Sequence, residues 1–386
     1  MLKKYSVTFA GQILVYIAGF LLIPIIVKTS GTEVYGAYVI IVSFLGILTG
    51  VSSLGTGFLV KRFLPSIDNK EERANIFYPQ FYFNILSAIL LGIIAFLSFS
   101  IIEEHLLGVD VDFDEYLVVL YLILYILYTQ TTDVFRYTHK VNLFNISTTL
   151  YPYIFLIIIV LWYRFDEIIT INTLIISQII ALAVVFVSLL LPSIKSVSFK
   201  LTWYKKYTFI KDIKYGFPLM IVVIFELIIS VSDRYVIASY MDLDSVAFYT
   251  IAYSVSSIPL LLPKVIGIVL PPIMSKLKDK GGKDKVELMI NLAVLIFSIF
   301  LIPFIFGVIM LGDPLLSLYA NKETAVAVSG LLPIISMAIF FYGIGSILSS
   351  ILFVDMKTKK ILLVSTVVGL LNLIANVTIN RIPLLY

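Results

Sequence analysis

The sequence predicts an all-α protein that crosses a membrane about eleven times. Three observations carry that expectation. Of 386 residues, 60% are apolar and only 13% charged, whereas soluble domains carry about 25% charged residues to keep their surface wet. A mean hydropathy of +1.05, with 24 Tyr and 28 Phe, leaves too little polar surface to cover so large a core. The apolar residues also form continuous runs of about 20, the length that crosses ~30 Å of hydrocarbon as a helix. Barrel strands would alternate polar and apolar over ~10 residues instead.

The runs follow in order. Met1–Lys4 and then Tyr5–Val27 have the charge-then-apolar order of a signal peptide. The run is too long for an h-region and no small-residue cleavage site follows, so it is an uncleaved first span. The next spans fall at 34–60 and 76–101, followed by the acidic connection Glu103–Tyr116, and then at 117–135, 146–163 and 168–191. After a basic segment come 214–238 and 246–272, where Pro259 and Pro263 predict a kink. The last three are 286–310, 326–354 and 361–380.

Lys and Arg in the loops orient the chain. With the N-terminus cytoplasmic, the inner segments hold 22 Lys/Arg and the outer ones five. The expected topology is therefore multi-pass with the N-terminus on the cytoplasmic side. Glu103–Tyr116 contains six carboxylates and no Lys or Arg. It lacks the spacing and central Gly of an EF-hand and is expected to be a solvated acidic loop.

Composition excludes several functions. There is no Cys, and His105 and His139 are the only two His, so thiolate–imidazole zinc sites, iron–sulfur clusters and disulfides are out of reach. The basic residues lie in short loops rather than on one face, which argues against nucleic acid. No GxxxxGK[ST] loop is present, so ATP hydrolysis is not expected; no cofactor is expected, and any work the chain does would draw on a proton or Na⁺ gradient or on substrate supply. An integral-membrane enzyme would need catalytic groups gathered in a sizeable outer loop, and the outer connections are short.

Residues 192–213 are the longest inner loop. Its Lys residues, with Trp203, Tyr204 and Tyr207, are expected to lie on anionic headgroups as a short amphipathic helix. This segment divides the chain into an N-terminal six-helix lobe at 1–191, a basic linker at 192–213 and a C-terminal lobe at 214–386. The halves echo each other: Glu33-Val-Tyr-Gly36-Ala-Tyr38 aligns with Asp244-Ser-Val-Ala247-Phe-Tyr249 at an offset of 211. Both segments start a helix of the same direction, as parallel repeats do, and such repeats place a substrate between the halves. Two halves of six need twelve spans against eleven seen, and a last helix is expected to be missing.

The opening Lys3-Lys4-Tyr5…Gly11-Gln12-Ile13 helix, the turn Ser30-Gly-Thr-Glu-Val-Tyr-Gly-Ala-Tyr38 and Gly55-Thr-Gly-Phe-Leu-Val-Lys-Arg-Phe63 carry a resemblance. So do Asp233-Arg234-Tyr-Val-Ile, Asp244-Ser-Val-Ala-Phe-Tyr249 and Leu371-Asn372. Together they resemble the Wzx-like polysaccharide flippases, the O-antigen and capsule exporters. Those belong to the multidrug/oligosaccharidyl-lipid/polysaccharide (MOP, MATE-like) superfamily. The resemblance implies a V-shaped pair of bundles that moves an undecaprenyl-diphosphate-linked oligosaccharide by alternating access, for surface polysaccharide synthesis. Its implied partners are that lipid-linked substrate, membrane lipids and other polysaccharide-assembly membrane proteins. The alternatives are a multidrug or lipid II exporter of the same superfamily, or a membrane-embedded polymerase or glycosyltransferase. A drug antiporter should carry carboxylates deep in its first six spans, and none lies there.

A carrier of an anionic sugar-bearing lipid needs cations near the diphosphate, and charges at membrane depth suggest function. Arg62 and Arg136 close the second and fourth spans, either as interface anchors or as bidentate phosphate ligands at the inner mouth. Glu226 lies about 18 Å into the seventh span and Lys264 about 12 Å from the inner end of the eighth. They are either a structural pair or groups facing the substrate path. Adjacent Asp233 and Arg234 point ~100° apart on a helix, which leaves Arg234 as a candidate outer-mouth contact. Gln12, Gln80, Asn84, Gln130 and Gln178 read as interhelical hydrogen-bond formers, with sugar contact the lesser role.

Overall fold

A computed structural model describes residues 2–104, 111–165, 169–267, 270, 274, 283–354 and 358–379. Part of the predicted acidic connection, 105–110, lies outside the described residues. Among the described residues there is no strand. Among the same residues, eight helices are long and apolar enough to cross a membrane, and a bent pair makes a ninth if counted as one span. The helix α1, Leu2–Ser52, covers the first predicted span and most of the second, whose last residues fall in a turn and the next helix. Its 51 residues would reach about 77 Å at 1.5 Å per residue, far more than one ~30 Å crossing. The break between the two crossings is Gly31, at φ 87 and ψ 172. Only a residue without a Cβ adopts that backbone cheaply. A shorter apolar segment, Thr366–Asn376, stands at the place of the eleventh span.

The chain divides into two compact units, Met1–Leu243 with Gly369–Tyr386, and Asp244–Val368. The seventh span packs with the first six in the first unit. In the first unit, α1 is followed by α2 (Gly57–Phe63) after a turn in which Leu54 and Gly55 both have positive φ. The helix α3 (Lys70–Leu97) starts at Asn69, whose Oδ1 accepts from the N–H of Glu71 at 2.8 Å. That is the capping that orphan first-turn donors require. A short α4 (Phe99–Ile102) ends this span. Then come α5 (Tyr116–Tyr137), α6 (Val141–Arg164), α7 (Ile171–Ile194) and the long α8 (Lys206–Tyr240).

Lipid, not water, solvates the outer faces. Leu86, Leu90, Ile93, Ile94 and Leu97 are all exposed along α3, a stripe at helical spacing that no soluble domain tolerates at this size. Several polar residues on the inward faces are hydrogen-bonded between elements, which lipid cannot do for them. Buried Thr56 donates to Asn84 Oδ1 at 2.9 Å. Thr56→Val should cost about 1 kcal/mol by stranding Asn84, near the top of the range measured for hydrogen bonds between membrane helices. A detergent thermal melt should fall by about 2–4 °C, whereas Thr378→Val, on the exposed end of the last helix, should leave it unchanged.

The basic linker differs from expectation. Residues 198–205 form no helix; they lie on the aromatic end of α3, with Tyr78 against Phe199 and Tyr82 against Trp203 at 5.5 and 5.3 Å. Tyr82 Oη donates to Lys200 O, and Lys200 Nζ donates to Asn75 Oδ1. Those side-chain anchors replace the helix ladder. Burial, and then the Asp212 carboxylate, push the Tyr204 phenol well above its ordinary range.

In the second unit, α9 (Leu243–Ser256) meets Ile258–Gly267 at a 48° bend. Pro259 starts the 3₁₀ turn at that break, so the expected kink is present. Next are α10 (Lys283–Tyr319), α11 (Lys322–Ser329) and α12 (Leu331–Val354). The predicted 326–354 span is thus two helices, because Asn321 Oδ1 caps α11 at Thr324 N–H, 2.7 Å away, and α11 ends at Gly330. The final α13, Thr358–Ile379, begins in the second unit and ends in the first.

Candidate functional site

The two Arg at span ends stand at the Lys/Arg-rich end of the first unit, each held over aromatic rings. Arg62 Nη1 donates to Tyr215 Oη at 3.1 Å, and its guanidinium lies 5.5 Å from the Tyr215 ring centre. Arg136 lies 5.6 Å from the Phe144 ring. Lys61 and Arg136 both attract the Asp133 carboxylate. Two cations against one anion leave this corner net positive, with exposed guanidinium forks that suit phosphate.

Of the other three sequence candidates, Glu226 and Arg234 lie about 17 and 29 Å along α8 from Tyr215, and Lys264 belongs to the second unit. Glu226 is exposed on α8 and Lys264 is exposed on Ile258–Gly267. Arg234 turns back along its own helix and donates to Ser230 O at 2.7 Å. Its neighbour Asp233 goes the other way, as the ~100° helical step requires.

Asp233 leads to a cluster that a search for isolated charges misses. Asn376 Nδ2 lies 2.6 Å from Asp233 Oδ1, 3.1 Å from Ser232 Oγ and 3.3 Å from Asn372 Oδ1. Ser232 Oγ donates in turn to Asn372 Oδ1 at 2.9 Å. An NH₂ group has two hydrogens, and here it faces three oxygens. A carboxylate, a hydroxyl and an amide oxygen converging within the membrane are the ligand types that hold a hard monovalent cation, or a proton, in its place. The sequence signal was the spacing of Asn372 and Asn376, which four residues apart share one helix face.

The seam that brings α8 onto α1 and α2 is built on small residues. A Cβ on Gly55 would strike the Gly216 carbonyl, and one on Gly216 would strike that of Gly55. Just past the end of α8, a Cβ on Gly36 would strike the carbonyl of Leu243, which still belongs to the first unit, and Tyr235 Oη reaches Ile40 O at 3.5 Å in between. Backbones approach this closely in membranes only through such residues.

Of the predicted interhelical amides, Asn84 and Gln178 have side-chain partners on other elements. Gln178 Nε2 donates to Tyr38 Oη at 2.6 Å, while its Oε1 has no partner. Gln130 has a partner on neither end of its buried amide. The face of α5 opposite Gln130 carries Tyr121, Tyr125 and Tyr128, a row of phenols that the abundance of aromatic residues concealed in the sequence.

A family model for polysaccharide biosynthesis proteins matches residues 1–278, and the MatE model matches residues 218–378. No curated protein matches the sequence. Among solved structures, the chain is similar to one described as lipid II flippase MurJ in an inward closed conformation. The TM-score is 0.75 at 19% identity, covering 98% of this chain and 81% of that one. It is also similar to the MATE multidrug transporter DinF-BH, with TM-score 0.65, 15% identity and coverage of 94% and 84%. A point mutant of the Vibrio cholerae MATE transporter VcmN matches at TM-score 0.65 and 15% identity over 95% of this chain and 85% of that one. At these identities the likeness is one of fold: helical bundles of the MATE type, as the sequence predicts. The family model covers well over half of the chain, which therefore belongs to the polysaccharide biosynthesis protein family, among the membrane transporters of the MOP superfamily.

Proposed function

We propose that this chain is a flippase that moves an undecaprenyl-diphosphate-linked oligosaccharide repeat unit across the cytoplasmic membrane by alternating access. The observation that carries this reading is the net positive, aromatic-braced corner of Lys61, Arg62 and Arg136 in a chain of a polysaccharide biosynthesis family. Two forks beside a lysine suit an anionic diphosphate; an organic cation would be repelled there. The excess of Lys/Arg at that end makes it the cytoplasmic mouth, where such a substrate is assembled. The oxygens of Ser232, Asp233 and Asn372 are the seat of the coupling ion, H⁺ or Na⁺.

Complementation of a flippase-deficient bacterium tests the reading. Restored surface polysaccharide, with the lipid-linked repeat no longer accumulating, is the expected result. Arg62→Ala with Arg136→Ala should reduce surface polymer at least tenfold, since each charge-assisted phosphate contact contributes about 1.5–3 kcal/mol. A chain that is well expressed and never rescues polymer from any such host contradicts the assignment, and rescue of lipid II export alone would move the cargo to that substrate.

A further inference from the structure

The phenol row of the first unit has no part in the diphosphate corner or in the ion cluster. Tyr121, Tyr125 and Tyr128 are spaced at i, i+4 and i+7, so they share one face of α5. Their rings stack in sequence: Tyr121 on Tyr125 at 5.7 Å and 17°, then Tyr125 with Tyr128 at 6.5 Å. Tyr128 continues to Tyr151 of α6 at 5.4 Å, and Tyr151 stands within hydrogen-bonding reach of Tyr121. Tyr38 of α1 completes the group, stacked on Phe155 and held by Gln178 of α7. Four helices thus aim phenols and one amide at a common interior.

Three features fit a ligand better than a packed core. Tyr38, Tyr125 and Tyr151 keep accessible surface although they lie within spanning helices of a bundle. The Gln178 side chain is only 5% exposed, yet its Oε1 meets no donor. A buried amide left half-satisfied is costly unless something supplies the missing hydrogen. The row also ends in the cationic corner: Asp133, which Lys61 and Arg136 attract, is in electrostatic range of Tyr125 and Tyr128. Arg136 lies about 12 Å along the helix from Tyr128 and about 22 Å from Tyr121.

Neutral hydroxyls, flat aromatic faces and a free amide acceptor suit a sugar, which presents C–H faces to rings and hydroxyls to polar atoms. Resting on the flippase reading above, we propose that the Tyr38, Tyr121, Tyr125, Tyr128, Tyr151 and Gln178 surface is the saccharide subsite. The diphosphate is then held at Arg136 and the sugars extend along α5 from it. Aromatic faces read the ring rather than its hydroxyl pattern, so the subsite favours glycosylated over bare prenyl diphosphates without demanding one sugar.

Binding of two soluble probes to the full chain in nanodiscs separates the parts. The probes are farnesyl diphosphate and farnesyl diphosphate carrying an N-acetylglucosamine disaccharide. The wild-type chain should bind the glycosylated probe about tenfold more tightly, a difference of about 1.4 kcal/mol. Tyr125→Ala should bring the ratio of affinities close to one and Gln178→Leu should reduce it severalfold. Tyr125→Phe, which keeps the ring and the packing, should retain most of it and guards against misfolding as the cause. Arg136→Ala should weaken both probes alike. A wild-type ratio of one, or a ratio unmoved by both Tyr125→Ala and Gln178→Leu, overturns the saccharide subsite and leaves the flippase reading intact. Failure of the wild-type chain to bind either probe overturns the diphosphate corner and the subsite with it.

Discussion

Gly55→Ala is expected to abolish transport and to release α8 from α1 and α2. Gly55 has φ 78, where an L-residue pays roughly 1–2 kcal/mol for its Cβ. That Cβ would also meet the Gly216 carbonyl, a backbone atom with no rotamer by which to escape. Gly216→Ala should act alike from the other side without the φ cost, since Gly216 lies inside α8. Cysteines placed near the seam, for instance at Ser53 and Tyr215, report the separation as lost crosslinking. Gly19→Ala and Gly267→Ala are the controls, because a Cβ at either meets nothing within 4 Å; as helix substitutions they should be neutral or gain up to about 1 kcal/mol. If Gly55→Ala retains both crosslinking and transport, the glycine seam is not what joins these helices.

The second large effect is expected at Asp233. Asp233→Asn keeps the shape of the Ser232–Asp233–Asn372–Asn376 cluster and removes its only negative charge. A cation site loses at least the 10–100-fold in affinity that even outer partners of metal ligands command. Gradient-driven transport should therefore fall by roughly 100-fold, while binding of farnesyl diphosphate at the far corner stays within about twofold. The same variant in vesicles with both proton and Na⁺ gradients collapsed should differ little from the wild type. Transport by the wild-type chain that persists undiminished without either gradient would remove ion coupling altogether.

Much of the fold was written in composition and run length, because lipid demands about 20 continuous apolar residues per crossing. The kink at Pro259 was legible for a similar reason: a missing N–H breaks the ladder wherever it falls. Helix ends were less so. The single α1 hides its break at Gly31 inside a continuous helix pattern, and the tenth run splits at Gly330 because Asn321 caps a separate turn. The linker at 198–205 has an amphipathic composition, yet its Phe199 and Trp203 find the aromatic end of α3 instead of a helix of their own.

Function was less evenly legible. Charges announce themselves in an apolar sequence, which is why Arg62 and Arg136 were found as candidates and why Arg62 proves to sit on the seam. Glu226 and Lys264 were equally visible, but depth along a helix does not say what a side chain faces. Neutral groups give no such signal. Asn372, Asn376 and Gln178 look like any interhelical amide, and five tyrosines spread over 113 residues, Tyr38 to Tyr151, come together only through the packing of α1, α5 and α6.

The most direct test of the central claim is translocation by the purified chain in proteoliposomes, scoring the flux of a fluorescent undecaprenyl-diphosphate oligosaccharide between leaflets. The account predicts flux well above protein-free vesicles, accelerated by an imposed proton or Na⁺ gradient and lost in Arg62→Ala with Arg136→Ala. Flux no greater than in protein-free vesicles, from a chain that is folded and still extrudes an organic cation such as ethidium, would contradict it.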